Sequence, residues 1–538
     1  MNGAEIMVKC LEKEGVKLVF GYPGATICPF YDVLYHADIR HVLVRTEQNA
    51  AHAASGYSRV GNGVGVCIAT SGPGATNLIT GIATAYMDSI PLVAITGQVS
   101  LKDLGKDVFQ EADVTGACES FVKHSYLVKN VAELPRVFKE AFYIAATGRP
   151  GPVLIDVPVD VQTARAPAFV YPEKAEIMGY KPKTAGHSQQ IRKALEAIRQ
   201  AQRPLLCCGG GVILAGAREE FLEFAQKSKI PVISTMMGIG VMPKDHPGYL
   251  GMMGSYGTDA ANAALREADL IVLCGARVAD RAVGHPEKIT ARIVHMDIDP
   301  AEIGKNIGVD IPIVGDAKNI LSAFLQDVPQ GHNWVNASRL PPASETERGG
   351  KFVNPESFLR EISILLEEDA ILLCDPGQSQ IWAANQFSGK YFLTSGGLGT
   401  MGYSLPAAIG AKLCCPARQV IAVCGDGAFQ MSMCELASLV GENIPVKILV
   451  MDNGRLGMVR ELQDQCYGGR HMGTHLGGNP DFVRLAEAYG IPARRVTGND
   501  EALVAAKDML RHKGPYLLVC KVDPDTTCVR RSAYREET

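Results

Sequence analysis

The sequence predicts an α/β protein made of three doubly wound parallel-sheet domains. Short apolar runs rich in β-branched residues recur along the chain, each is followed by glycine or aspartate, and segments with helical periodicity lie between them. Strands that alternate with helices in this way form parallel sheets with helices on both faces. The runs that we interpret as strands lie at 63–72, 90–97, 204–211, 269–275, 291–299, 419–427 and 445–453.

Chain length and two irregular stretches define the predicted domains. The chain has 538 residues, more than a single hydrophobic core accommodates, and typical domains of about 100–200 residues give about three. Stretches 164–187 and 328–355 are rich in proline and polar residues and lack clean periodicity. The predicted domains are therefore 1–165, 188–328 and 356–538, with linkers at 166–187 and 329–355.

Composition excludes several classes of function. The formal net charge is -4, so no basic surplus indicates nucleic-acid binding. No run of about 18 apolar residues without charge occurs, so we expect no membrane span. The N-terminus has the pattern of an amphipathic helix and lacks the apolar core of a secretory signal. Fifteen cysteines without a CxxC motif favour a reducing compartment, and we expect a cytoplasmic protein.

Two side chains at consecutive strand ends suggest a magnesium site. Asp426 stands between two glycines directly after the apolar run 420–423, and Asn453 ends the next strand 27 residues later. Ligands of open α/β sheets bind beyond the carboxyl ends of strands. If the two strands are neighbours, a carboxylate and an amide oxygen meet at one sheet edge, and Mg²⁺ prefers such hard oxygen ligands. Either segment alone is also typical of an ordinary turn.

Gly-Asp-Gly followed at this distance by asparagine resembles the diphosphate-binding signature of thiamine diphosphate enzymes. The resemblance extends over nearly the whole chain, and the family that it indicates is the large catalytic subunit of acetolactate synthase. Eight stretches in one order carry it: GYPGATICPFYDVL (21–34), RTEQNAAHAASGYSRV (45–60), CIATSGPGATNL (67–78), PLVAITGQV (91–99), DVFQEADV (107–114), SGGLGTMGYSLPAAIGA (395–411), CGDGAFQMSMCELA (424–437) and NGRLGMV (453–459).

The resemblance implies a pyrimidine-binding N-terminal domain, a central FAD-binding-like domain and a C-terminal domain that binds the diphosphate and Mg²⁺. It implies decarboxylation of pyruvate on thiamine diphosphate and transfer of the hydroxyethyl unit to a second 2-oxo acid in branched-chain amino acid biosynthesis. The acceptor would be pyruvate, giving 2-acetolactate, or 2-oxobutyrate. A flavin-dependent pyruvate oxidase, another thiamine diphosphate-dependent decarboxylase or carboligase, and a non-catalytic cofactor-binding regulatory protein stay open as alternatives.

The resemblance also implies partners and catalytic residues. The active form would be a homodimer or homotetramer, with a small regulatory subunit as a further partner, and Glu47 of one chain would face Asp426 of another. A glutamate at a helix start usually only favours the helix dipole. By resemblance, a buried Glu47 instead bonds the aminopyrimidine ring, and we expect burial to raise its pKa. Met401 would hold the cofactor bent, and Gly24 and Gln110 would complete the catalytic group.

Further site residues follow from the same motifs. The metal ligands would be Asp426, Asn453 and the backbone carbonyl of Arg455. The other residues around thiamine diphosphate would be Gly377, Gln378, Ser379, Gly399, Thr400, Gly427, Ala428, Gly454, Leu456, Gly457 and Met458. The FAD residues would be Gly210, Thr235, Met236, Gly251, Met252, Arg277, Asp297, Ile298 and Asp316. The substrate residues would be Ala25, Phe109, Gln110, Lys123 and Arg281.

Several positions depart from the family pattern. Leu462 stands where the biosynthetic enzymes usually have tryptophan, which leaves the preferred acceptor undetermined. Asp452 replaces the first asparagine of a common pair, and Ser379 replaces a histidine. Met178 stands where an arginine often contacts FAD, which bears on whether FAD is retained. The tail 526–538 lacks the usual ending rich in proline and glycine, which puts the usual closure of the active site in question.

Two sequence signals point elsewhere but are weak. GLGTMG (397–402) matches the GxGxxG pattern of dinucleotide binding, yet no acid follows about 20 residues later where a ribose ligand is needed. His471 and His475 have the spacing of a zinc pair on a helix. Their segment, GGRHMGTHLGG, is too rich in glycine for a stable helix, so we expect a loop near the active site.

Overall fold

The computed structural model contains three parallel six-stranded sheets, which follow one another along the chain. It describes residues 1–61, 63–284, 286–331, 333–335 and 350–528. All strand pairs within these sheets are parallel. The predicted α/β fold class is therefore confirmed.

The first sheet belongs to the N-terminal part of the chain. Its strands are β1 (Leu18–Gly21), β2 (Arg40–Leu43), β3 (Gly65–Ala69), β4 (Leu92–Gln98), β5 (His124–Leu127) and β6 (Pro152–Pro158). Its helices are α1 (Gly3–Lys13), α2 (Cys28–Leu34), α3 (Glu47–Gly61), α4 (Pro73–Met87), α5 (Val114–Cys118), α6 (Leu134–Ala146) and α7 (Val159–Thr163). The strand order is β2-β1-β3-β4-β6-β5. Strands β3, β4 and β6 are buried along their whole length, because helices cover both faces.

The second sheet occupies the middle of the chain. Its strands are β7 (Pro204–Cys208), β8 (Val232–Ser234), β9 (Tyr249–Met252), β10 (Leu270–Cys274), β11 (Arg292–Asp297) and β12 (Ile311–Val314). Its helices are α8 (Ser188–Gln200), α9 (Gly210–Leu214), α10 (Arg218–Ser228), α11 (Asp259–Glu267) and α12 (Ala317–Phe324). The order β12-β11-β10-β7-β8-β9 places the reversal of strand order between β7 and β10. Ligands bind to doubly wound sheets at such a reversal.

The third sheet belongs to the C-terminal part. Its strands are β13 (Ile371–Cys374), β14 (Tyr391–Thr394), β15 (Val420–Gly425), β16 (Lys447–Asp452), β17 (Ala493–Val496) and β18 (Tyr516–Lys521). Its helices are α13 (Pro355–Leu365), α14 (Gln378–Gln386), α15 (Ser404–Cys414), α16 (Asp426–Gln430), α17 (Leu436–Gly441), α18 (Gly457–Cys466), α19 (Phe482–Ala488) and α20 (Asn499–Arg511). The order β14-β13-β15-β16-β18-β17 makes β15 and β16 neighbours.

Helices α3 and α15 join the first and third sheets at very short range. A Cβ atom at Gly410 would lie 1.8 Å from the carbonyl oxygen of Ala53, and one at Gly56 would lie 2.0 Å from that of Ala407. Glycine at both positions therefore lets the two backbones touch. The N-terminal and C-terminal sheets consequently share one hydrophobic core.

The predicted linkers differ in how far the structure describes them. Residues 166–187 contain no helix or strand, and α8 begins at Ser188. Linker 329–355 lies partly outside the described residues, and its last residue already begins α13. The tail from 529 onward also lies outside them. Among the helices that the structure describes, none has both the length and the apolar character needed to cross a bilayer.

Candidate active site

A cavity of about 1090 Å³ lies where all three parts of the chain meet. Its walls come mainly from the carboxyl ends of strands in the second and third sheets, and Arg59, Ala146 and residues 87–90 and 148–150 of the N-terminal part complete them. This volume lies just above the range of about 300–1,000 Å³ found for pockets that bind drug-sized ligands. The cavity can therefore hold a large cofactor.

Asp426 and Asn453 lie next to each other at one edge of this cavity, at the ends of neighbouring strands β15 and β16. Asp426 is only 1% exposed. Its Oδ2 accepts hydrogen bonds from the backbone N–H of Gly454 at 2.9 Å and from Asn479 Nδ2 at 2.7 Å. Asn453 Oδ1 accepts one from the backbone N–H of Arg455 at 3.0 Å. The structure thus brings the three predicted metal ligands together.

The electrostatics of this corner suit a divalent cation. Burial raises the pKa of Asp426 to about 6, the Asn479 amide opposes the shift, and the neighbouring Asp452 adds to it. A bound cation would relieve this cost of holding a buried carboxylate. No cluster of three His, Cys, Asp or Glu side chains suited to a metal occurs in the described part of the chain. Mg²⁺ fits the site because it accepts one carboxylate together with water and phosphate oxygens.

Gln378 connects the metal corner to the C-terminal segment. Its Oε1 accepts a hydrogen bond from Asn453 Nδ2 at 2.8 Å. Its Nε2 donates to Glu461 and, at 2.8 Å, to the carbonyl oxygen of Thr526. A Cβ atom at Gly457 would lie 1.8 Å from Gln378 Oε1, so any larger residue there would displace the Gln378 amide. The Asn453 side chain is therefore held in one orientation.

The remaining predicted thiamine residues divide between the cavity and its supports. Met401 lines the cavity, and its Cε would lie 3.5 Å from a Cβ atom at Gly427, so it stands beside the metal corner. Thr400 and Gly454 are not among the lining residues. Those that line it are Gly377, Gln378, Ser379, Gly399, Met401, Asp426, Gly427, Ala428, Asn453, Arg455, Leu456, Gly457 and Met458.

Most predicted FAD residues line the same cavity on the side of the second sheet. Those that do are Gly210, Thr235, Met236, Met252, Arg277, Asp297, Ile298 and Asp316. Gly251 does not line the cavity. It adopts φ +103, and a Cβ atom there would lie 2.6 Å from Thr258 Cγ2, so glycine is required by the local backbone conformation. Met178 is fully exposed and does not line the cavity, so the replacement noted there has no contact with it.

The half of the cavity near the second sheet has two loops in close backbone contact and a buried carboxylate. A Cβ atom at Gly211 would lie 2.7 Å from the Cα of Gly275, so two loops touch beside the predicted Gly210. Burial raises the pKa of Asp297 to about 6, although a hydrogen bond from the backbone N–H of Asp299 opposes the shift. A narrow glycine cradle with a carboxylate at the next strand end suits a nucleotide.

Glu47 and its predicted neighbours form a second cluster, which does not line the cavity. Glu47 begins α3 and is only half-buried within this chain. Its Oε2 accepts a hydrogen bond from Asn77 Nδ2 at 2.9 Å, and its Oε1 would lie 3.3 Å from a Cβ atom at Gly74. The expected full burial of this carboxyl is therefore not reached among residues 1–528 as the structure describes them, because none of the described segments covers it.

The turn before α4 gathers the other members of this cluster. Gln110 adopts φ +61, and its Cα would lie 2.9 Å from a Cβ atom at Gly72. A Cβ atom at Gly24 would lie 2.5 Å from the side chain of Thr70, which precedes the same turn, and Ala25 begins the short helix that follows Gly24. The predicted residues Gly24, Ala25, Glu47 and Gln110 therefore surround one end of α4.

The other predicted substrate residues are scattered in the single chain. Arg281 is exposed and lines the cavity. Phe109 is 87% exposed, next to Gln110. Lys123 donates hydrogen bonds to the carbonyl oxygens of Ile144 and, at 2.6 Å, Thr147 at the end of α6. Burial lowers the pKa of Lys123 to about 8.

Two histidines and two polar side chains complete the surroundings. The segment with His471 and His475 is a loop, as expected, and the two rings have different partners, Asp464 Oδ1 at 2.6 Å and the carbonyl oxygen of Gly454 at 3.4 Å. Sequence reasoning missed Asn479 and Glu461. Asn479 contacts Asp426 and Glu461 contacts Gln378, each from a distant segment of the chain, and no local sequence motif predicts such contacts.

Three family models match the chain in the order of its three sheets. They are the thiamine pyrophosphate enzyme N-terminal TPP binding domain at 1–117, the central domain at 191–324 and the C-terminal TPP binding domain at 375–520.

Curated relatives match over nearly the whole chain. A probable acetolactate synthase large subunit from Methanocaldococcus jannaschii is 47% identical, over 97% of this chain and 92% of the relative. An acetolactate synthase large subunit from Corynebacterium glutamicum is 45% identical, over 94% and 84%. The acetolactate synthase isozyme 2 large subunit of Escherichia coli is 43% identical, over 97% and 96%.

Proposed function

The chain belongs to the acetolactate synthase large-subunit family of thiamine diphosphate enzymes, and we propose how its own residues perform the reaction of that family. The enzyme decarboxylates pyruvate on thiamine diphosphate and transfers the hydroxyethyl unit to a second 2-oxo acid. The observation that supports our assignment of roles is the pairing of Asp426 with Asn453 at adjacent strand ends, on the wall of a cavity large enough for the cofactor.

We assign Mg²⁺ and the cofactor diphosphate to the corner at Asp426. The Asp426 carboxylate, the Asn453 amide oxygen and the Arg455 carbonyl would hold the ion, and Gln378 would keep the Asn453 amide turned towards it. Ser379 lies close by, where a Cβ atom at Gly425 would lie 3.6 Å from its hydroxyl. This hydroxyl would take the place of the usual histidine near the diphosphate.

The organic part of the cofactor would extend from this corner across Met401. Bound thiamine diphosphate supplies the electron sink that decarboxylation requires. Met401 would support its bend from below, while Gly399, at φ +71, lets the loop turn away from the ring. Glu47 would accept and return the proton of the aminopyrimidine.

Glu47 would reach the cofactor of a second copy of the chain. It lies outside the cavity that Asp426 lines, and it is half-buried in the single chain. A partner surface would complete its burial and bring Gly24, Ala25, Phe109 and Gln110 to the opposite wall. Lys123 stands at the amino end of β5, where its ammonium is bonded to the end of α6, and it would not reach that wall. We therefore propose a homodimer as the smallest active unit, with tetramers and a small regulatory subunit as further assembly states.

FAD would occupy the half of the cavity near the second sheet. The glycine cradle at Gly210 and the carboxylates of Asp297 and Asp316 form the lining there. The net reaction exchanges no electrons with an outside acceptor, so FAD would have no net redox task. A purified enzyme with the absorption of bound flavin would support this assignment, and a colourless active enzyme would contradict it.

Three further assignments belong to the same proposal. Arg281 would bind the 2-oxo acid carboxylate, and Leu462, which lines the cavity, would leave a wide pocket for the acceptor. The three domains would have the boundaries 1–165, 188–328 and 356–538. A cytoplasmic location is supported by cysteines that are all free among the described residues.

Product analysis tests the reaction against its rivals. The purified enzyme would receive pyruvate, thiamine diphosphate and Mg²⁺, alone and with 2-oxobutyrate, and acetolactate, CO₂, acetate and acetyl phosphate would be measured. We expect acetolactate and CO₂ in equal amounts without any electron acceptor. Acetate or acetyl phosphate with reduced flavin would indicate the oxidase, and no CO₂ release would indicate a non-catalytic binding protein.

A further inference from the structure

A carboxylate of the N-terminal part, Asp88, holds the loop that bears Met401. Asp88 directly follows α4 and is 4% exposed. Its Oδ1 accepts a hydrogen bond from the backbone N–H of Gly397 at 2.7 Å, and its Oδ2 accepts one from that of Gly396 at 3.2 Å. Both glycines belong to the loop 395–402 between β14 and α15. The contact therefore joins the first and third sheets directly at the cavity, whose lining includes all three residues.

Holding the Asp88 carboxylate at this position costs the folded protein free energy. Burial raises the pKa of Asp88, although Arg59, Arg277 and the two glycine amides oppose the shift. The carboxylate also stands at the C-terminal end of α4, where the helix dipole disfavours a negative charge. The next residue, Ser89, has the left-handed backbone conformation φ +59. Such costs are typical of a group kept for its effect on a functional site.

Other groups of the N-terminal part hold the same loop. The Thr84 hydroxyl donates to the carbonyl oxygen of Thr80 and shares a hydrogen bond of 2.7 Å with Thr400 Oγ1. Arg59 Nη1 donates at 2.7 Å to the carbonyl oxygen of Thr394, which directly precedes the loop. Residues 396–399 are exposed, so the loop has little packing of its own. Its conformation therefore depends on these polar anchors.

Gly396 and Gly397 allow the end of α4 and Met237 to approach the loop closely from its two sides. A Cβ atom at Gly397 would lie 2.9 Å from the Cβ of Met87 and 3.1 Å from Asp88 Oδ1. A Cβ atom at Gly396 would lie 2.4 Å from the Met237 sulfur on the opposite side. Larger residues would push the loop away from the end of α4.

We propose that Asp88 is a positioning residue for catalysis, which fixes the loop 395–402 from the N-terminal part of the same chain so that Met401 stands beside the Asp426 corner. This inference rests on the role proposed above for Met401. It assigns Asp88 no contact with the reacting atoms. Each active site would then use one N-terminal domain for Glu47, from the second copy, and another for Asp88, from the same chain.

The test compares Asp88→Ala with Glu140→Gln, which removes a carboxylate bound to Tyr126 and Arg136 in the same part of the chain, away from the loop. Amide hydrogen exchange of peptides covering 395–402 is measured in the cofactor-free protein. We expect exchange about ten- to a hundredfold faster in Asp88→Ala, the factor that corresponds to lost hydrogen bonds to a charged group. We expect no change in Glu140→Gln.

Cofactor activation provides the second measurement. Deuterium exchange at the thiazolium C2 carbon of bound thiamine diphosphate is followed by quenching and NMR, with kcat and KM for pyruvate. In Asp88→Ala, C2 exchange and kcat should fall at least about tenfold, while KM changes little, because positioning acts on the chemical step. Unchanged loop exchange together with unchanged C2 exchange would overturn the inference.

A second pair of variants covers the case in which Asp88→Ala does not fold. Thr84→Val removes the hydroxyl that bonds Thr400 at nearly constant volume, and Thr84→Ser restores it. Faster loop exchange in the valine variant with recovery in the serine variant supports the inference, and equal behaviour contradicts it. If the wild-type protein shows no C2 exchange and makes no acetolactate, the proposed function fails, whereas loop exchange still reports on Asp88.

Discussion

Replacing Asp426 with asparagine should stabilise the cofactor-free protein and abolish its response to Mg²⁺. The carboxylate is buried, and its pKa is raised from 3.8 to about 6. One pKa unit corresponds to about 1.4 kcal/mol, so the ionised side chain costs the folded protein up to about 3 kcal/mol. Asparagine keeps an oxygen that can accept from the backbone N–H of Gly454 and from Asn479, and it removes the charge.

The pH dependence of this effect has a definite sign. A carboxyl whose pKa is raised by folding destabilises the protein at pH values above the folded pKa, and the penalty disappears below the unfolded pKa. The penalty at Asp426 should therefore grow between about pH 4 and about pH 6 and stay constant above that. Asp426→Asn should unfold at a higher temperature than wild type near pH 7.5 and at nearly the same temperature near pH 4.

The assay is thermal unfolding with and without Mg²⁺ and thiamine diphosphate. A ligand at about 100 times its Kd stabilises the folded protein by about 2.7 kcal/mol, so saturated wild type should gain several degrees. The variant should gain nothing, and the ranking of the two proteins should reverse when cofactor is added. A variant that is less stable than wild type without cofactor at neutral pH would refute the reasoning.

Four further outcomes follow from the structure. Glu47→Gln should slow proton exchange at the thiazolium C2 carbon while diphosphate binding survives, and unchanged exchange by NMR would contradict its role. Gly410→Ala should lower the unfolding temperature by several degrees, because its Cβ would lie 1.8 Å from a backbone oxygen of α3, whereas Gly441→Ala, with open space around it, should not. Gln378→Ala should weaken Mg²⁺ binding about ten- to a hundredfold by calorimetry, since Gln378 orients the proposed metal ligand Asn453, and equal affinity would exclude this function. Leu462→Trp should narrow the cavity and change the ratio of the two acetohydroxyacid products formed from mixed 2-oxo acids; an unchanged ratio would show that this side chain does not contact the acceptor.

The parts of the fold that local patterns encode could be predicted from the sequence. Apolar runs that end in glycine or aspartate predicted parallel strands, and Asp426 and Asn453 were found because each ends such a run. The order of the strands within each sheet could not be derived from periodicity, since register and neighbours depend on packing between distant segments.

The side chains that hold the site in place could not be predicted from local sequence patterns. Asp88 contacts residues 308 and 309 positions away, and no motif in its own segment indicates this. Thr400 matched a family motif, but its hydroxyl supports the loop from behind instead of lining the cavity. Glu47 was expected to be buried, but the described part of the chain leaves it half-buried, and in our proposal a second copy of the chain completes its burial.

Helix α4 contacts both groups of residues that we propose as catalytic. Its first turn meets Glu47 through Gly74 and Asn77, and its far end, about 22 Å away at the rise of an α-helix, holds the Met401 loop through Thr84 and Asp88. If Glu47 serves the neighbouring molecule, this rod joins two reaction centres. A substitution in α4 would then change the kinetics of both reaction centres. Its effect on each centre could be measured only in hybrid dimers, in which one of the two chains carries the substitution.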